Sequence, residues 1–63
     1  MISPTARLYY YMTLKNLHEQ RMTVEHCDEI IKRYEIQEKY EACQGVLQAK
    51  EDFTLTFEQN ETL

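Results

Sequence analysis

The sequence predicts an all-α protein: an antiparallel helical hairpin with an extended C-terminal tail, assembled as a dimer or higher oligomer. Three observations carry this expectation. The 63 residues include one Gly and one Pro, too little turn material for a multi-stranded β fold. Glu, Gln, Lys, Leu, Ala and Met are abundant, and all lose little side-chain freedom in a helix. Apolar residues recur at helical spacing through most of residues 4–50.

The first helix is expected over residues 4 to about 20. Ser3 is placed to cap it, and Pro4 falls at the first helical position, where its missing N–H costs nothing. Ala6, Tyr10, Leu14 and Leu17 follow at spacings of four, four and three, which marks one face. Leu8, Tyr9, Tyr11 and Met12 make the first turns apolar nearly all round, as in a helix buried on more than one side.

A second start signal follows at Thr23, with Glu25, Asp28 and Glu29 supplying acid to the first turns, where the helix dipole favours it. No Gly or Pro interrupts the chain from there to Gly45. Asp28–Lys32, Glu29–Arg33 and Glu35–Lys39 are acid-before-base pairs four apart, each worth about 0.2–0.5 kcal/mol to a helix. The expectation is one helix from 24 to about 50, antiparallel to the first across a short turn at Arg21-Met22.

That helix carries two apolar stripes. Val24, Cys27, Ile30, Ile31 and Tyr34 form one; Ile36, Tyr40, Cys43 and Leu47 form another, with Val46 at its edge. At about 100° per residue, the stripes point to nearly opposite sides of a straight rod. The first helix, roughly 25 Å long, is too short to cover a rod of about 40 Å. The second stripe is therefore expected to be an oligomer interface, most simply a twofold one. The alternative is a break near Glu35 that folds the chain into a three-helix monomer.

The end of the chain changes character. Phe53-Thr54-Leu55-Thr56-Phe57 alternates apolar with polar residues and is rich in β-favouring types. Residues 1–52 are read as the hairpin domain, and 53–63 as an extended or disordered tail.

Function classes narrow by exclusion. A chain this short buries roughly 60% of its unfolded surface, which leaves no room for a nucleotide-binding α/β domain or a deep substrate pocket. No run approaches the roughly 20 apolar residues that a membrane-spanning helix requires. The opening Met1-Ile2-Ser3-Pro4 lacks the basic and apolar regions of a secretory signal, and Cys27 and Cys43 are too few for a disulfide framework. A cytoplasmic protein with reduced thiols is the expectation.

His18, His26, Cys27 and Cys43 are the soft metal-ligand candidates. Without a C-x-x-C or H-x-x-x-H spacing they predict no metal site and no cofactor. His26 and Cys27 are neighbours that diverge by about 100° on a helix, so they do not make a nucleophile and base. No catalytic residue is assigned, and the chain is read as a non-enzyme. Tyr9, Tyr11 and Met12 are the partner-binding candidates, because tyrosine packs with one end and hydrogen-bonds with the other.

Charge is divided unevenly along the chain. The formal net charge is −4, yet residues 1–23 carry Arg7, Lys15 and Arg21 against Glu19 alone. So small a basic patch disfavours nucleic acid as a ligand. The leading expectation is a small non-enzymatic protein that self-associates and works by binding an as yet unidentified protein. Small accessory proteins of phages and mobile elements share its size, acidity and helicity, an analogy of composition and not of motif. The alternative is an acidic regulator that mimics nucleic acid in a basic groove, displaying Glu35, Glu38, Glu41, Glu51 and Asp52 at phosphate-like positions.

Overall fold

Three helices account for most of the described residues in the computed structural model, which describes residues 3–61, with side chains for residues 3–56. They are α1 (Pro4–His18), α2 (Val24–Ile36) and α3 (Tyr40–Glu61). Two begin at the expected caps. Ser3 Oγ accepts from the Ala6 N–H at 3.1 Å, with Pro4 next to it, and Thr23 Oγ1 accepts from the His26 N–H at 3.1 Å.

Both connections are built the same way. At the end of α1 the Gln20 N–H donates to the Leu17 carbonyl and the Arg21 N–H to that of Asn16, at 3.2 and 2.9 Å. At the end of α2 the Glu38 N–H donates to Glu35 and the Lys39 N–H to Tyr34, at 3.0 and 2.8 Å. Each pair is a Schellman closure, which places one residue in the left-handed region to satisfy the last carbonyls. That residue is usually Gly. Here it is Gln20, at φ 61°, and Glu38, at φ 59°.

The second closure overturns the single helix expected over residues 24–50. The chain reverses at Gln37–Lys39 without any Gly or Pro, because a glutamate takes the left-handed position. The Lys39 ammonium lies 5.9 Å from the centre of the Tyr34 ring, which holds the corner from outside. The Glu35–Lys39 pair read as support for a continuous helix instead straddles its end. With the rod broken, the argument that a partner must cover its far half is lost.

The extended stretch expected at residues 53–57 is also helical, within α3. Two features outweigh its β-favouring composition. Thr54 Oγ1 donates to the Lys50 carbonyl at 2.8 Å and Thr56 Oγ1 to that of Asp52 at 2.9 Å, bonds back to i−4 that only a helix offers. Phe53 packs against the central cluster and meets the His18 ring edge-on at 5.2 Å. The backbone of residues 58–61 continues the helix, while Thr62 and Leu63, also expected to be disordered, lie outside the described residues.

α3 is the central element, packed against both α1 and α2 and more extensively against α1. It runs parallel to α1: Ala6 faces Gly45, Tyr10 reaches Asp52, and His18 meets Phe53. It runs antiparallel to α2, where Asp28 pairs with Lys50 at 2.5 Å and the Cys43 thiol donates to the Ile31 carbonyl at 3.3 Å. Tyr9 and Tyr34 join α1 to α2 edge-on at 5.7 Å.

Leu17, Cys27 and Val46 form the centre of the core, surrounded by partly buried Tyr9, Met22, Ile30, Ile31, Tyr34 and Phe53. Burying one such aliphatic side chain contributes roughly 1.5–3 kcal/mol. The α1–α3 seam is lined instead by small residues: Ala6 on α1, with Ala42, Gly45 and Ala49 on α3. A Cβ at Gly45 would collide with the Ala6 carbonyl oxygen and lie 2.9 Å from the Tyr10 nitrogen, so the backbones approach as closely as Gly allows.

Candidate interaction surface

The outward face of α1 follows from what its inward face must do. Ala6, Thr13 and Leu17 are buried, with Tyr9, Tyr10 and Leu14 half-buried beside them. Leu8, Tyr11 and Met12, spaced i, i+3 and i+4, therefore come together on the opposite side. They are 57%, 61% and 51% exposed. Arg7 and Lys15 flank them, and α1 contains no acidic residue.

Of the partner-binding candidates, Tyr11 and Met12 lie on this face. Tyr9 does not: its ring is half-buried against Tyr34 and the core. Leu8 belongs to the same surface, as its spacing from Tyr11 and Met12 implies. The Tyr11 ring is braced edge-on by Tyr10 at 5.2 Å.

The four residues expected to form an oligomer seam are separated by the turn. Ile36, 83% exposed, ends α2 on the side away from the core, while Tyr40 and Leu47 lie exposed on α3. Cys43 is buried within the molecule, its thiol bonded to α2, and cannot join an outer seam. In its place Tyr40, Leu47 and Leu55 share the outer side of α3 with Gln44 and Glu51.

The five acidic candidates do not behave alike. Glu35, Glu38, Glu41 and Glu51 are exposed. Asp52 is half-buried and engaged: Tyr10 Oη donates to its Oδ2 at 2.5 Å and Gln48 Nε2 to its Oδ1 at 3.0 Å. The hydrogen bond to this carboxylate, followed by burial and the carboxylate charge, raises the Tyr10 phenol above its ordinary value. Arg7, Tyr10, Tyr11, Gln48 and Asp52 border an open groove of about 460 Å³. A second, of about 550 Å³, lies between Thr5 and Tyr9 on α1 and the Glu38–Ala42 corner.

The metal-ligand candidates are dispersed. His18 meets Phe53 edge-on, His26 faces Glu29 at 3.8 Å, and Cys27 is buried with its thiol donating to the Met22 sulfur at 3.5 Å. Burial is the main cause that raises both thiols above their ordinary value, with Asp28 adding to it at Cys27 and Glu35 at Cys43. Among the described residues no three His, Cys, Asp or Glu side chains converge on a point that could hold a metal ion. Nor is any helix among them long and apolar enough to cross a membrane.

Comparisons with protein-family models, with curated proteins and with solved structures find no match for this chain.

Proposed function

We propose that this is a small non-enzymatic helical protein that self-associates and acts through protein–protein contact, with the outward face of α1 as its contact surface. One observation carries the reading. Leu8, Tyr11 and Met12 stand together in solvent on a helix whose other side already fills the core. Among the described residues nothing covers this apolar face, and a clustered apolar patch rimmed by polar groups is characteristic of a binding site. Its composition suits the role. Tyrosine and methionine are enriched at the centres of interfaces, and arginine is common there too. The braced Tyr11 ring would lose little conformational freedom on docking.

Sedimentation equilibrium over micromolar to millimolar concentrations tests the proposal. Wild type should reach a mass of at least twice 7.6 kDa. The double variant Tyr11→Ser/Met12→Ser should remain at 7.6 kDa with unchanged helicity. A wild-type chain that sediments as a monomer throughout defeats the self-association reading.

A further inference from the structure

We infer that self-association is head-to-tail: the outward face of α1 in one molecule seats on the outward face of α3 in a second copy. The inference rests on the self-association proposed above and specifies the pairing within it. The occupant is identified by charge. Leu8, Tyr11 and Met12 are accompanied by Arg7 and Lys15, with no acid anywhere on α1. Tyr40, Leu47 and Leu55 are accompanied by exposed Glu51, at i+11 from Tyr40, and by Gln44. One strip is apolar with two bases beside it, and the other is apolar with one acid, Glu51, beside it. Among the described residues, neither Arg7, Lys15 nor Glu51 makes an ion pair within the molecule.

The two strips cannot meet within one chain. α1 lays Ala6 on α3 and turns Leu8, Tyr11 and Met12 away from it. α3 directs Ala42, Gly45, Val46 and Ala49 inward and leaves Tyr40, Leu47 and Leu55 on its far side. Only a second molecule can bring the two surfaces together. A twofold contact of α1 with α1 would bring Arg7 and Lys15 towards their own copies with no acid on that helix to meet them, and α3 with α3 would offer Glu51 no base from the outer side of its own helix. Like charges placed across an interface disfavour the wrong pairing, so the contact is heterologous and grows into rings or open chains.

Two exposed substitutions, each blocking one strip, test the pairing by sedimentation. Met12→Asp sets an acid against the acidic strip, and Leu47→Lys sets a base against the basic one. Each variant alone should stay at 7.6 kDa, with the far-UV circular dichroism of wild type. Mixed in equal amounts they should regain species of at least twice that mass, because each keeps the face the other has lost. The wild-type dissociation constant should also rise severalfold as salt increases from about 0.05 to 0.5 M, as expected for opposed surface charges. If wild type associates and the mixture stays monomeric, or if either variant associates like wild type, the head-to-tail pairing is overturned while self-association stands. If wild type is monomeric, both fall together.

Discussion

Gly45 lies so close to the carbonyl oxygen of Ala6 that no side chain fits between α3 and α1. This contact sets the spacing of the two parallel helices and therefore the depth at which Leu17 and Val46 bury. Alanine at position 45 should destabilise the fold, although alanine is the better helix former by about 0.8–1.0 kcal/mol. The atom struck is backbone and cannot rotate away, and overpacking of this kind costs about 1–3 kcal/mol or more. A lower denaturant midpoint for Gly45→Ala is expected; a midpoint above wild type would show that the helices separate freely.

The left-handed residues at the two corners make the opposite prediction. Glu38 holds φ 59° at a position that glycine occupies without a Cβ penalty. Glu38→Gly should therefore stabilise the protein, by about 0.5–1 kcal/mol. For a domain this small that corresponds to a rise in melting temperature of roughly 2–8 °C. Calorimetry checks it, and a fall would mean that the Glu38 side chain supports the turn in a way its geometry does not reveal.

Tyr10 and Asp52 connect α1 to α3 through a hydrogen bond of 2.5 Å. Tyr10→Phe should cost about 1 kcal/mol at neutral pH. The phenol has its pKa raised above 10.0 in the folded chain, so its contribution is complete below pH 10 and is lost as pH climbs through the raised value. Lys50 acts in the same direction, its ammonium stabilised by the hydrogen bond to Asp28 and held above its ordinary 10.5. Urea midpoints measured across the alkaline range should fall more steeply for wild type than for Tyr10→Phe. Parallel curves would remove Tyr10 from the account.

Cys27 is fully buried and Cys43 nearly so, and burial disfavours the thiolate at both. Native protein should react with a disulfide reagent at a rate set by transient opening, and both thiols should react together once denaturant unfolds the chain. Fast labelling of Cys43 in the native state would place it on the outer side of the molecule, as membership of the expected oligomer seam requires.

Local signals are legible where a single residue performs the structural task. Ser3 with Pro4 and Thr23 start two helices through their own side chains, and each is visible without knowledge of the rest of the chain. The second corner left no such mark. Closure at Glu38 uses backbone hydrogen bonds that any residue can make, provided that packing offsets the left-handed strain. The strand-like 53–57 segment misled for a related reason, since its alternation is real but Phe53 finds the core only if the chain coils.

The candidate surface was half legible. Tyr11 and Met12 face outward as expected, but helical spacing could not decide which side of an almost wholly apolar helix would turn inward. That choice depends on Ala6 and Gly45, whose small size carries little hydrophobic signal and a large packing consequence. By itself, then, the sequence determined that the chain is helical, where α1 and α2 begin, and that charge is divided between its ends. The tertiary structure decided where the second reversal falls, that Cys43 is core, and which faces of α1 and α3 remain outside. The reason is physical. Propensity and capping are properties of neighbours along the chain, whereas burial is settled by whichever surfaces can approach most closely in space.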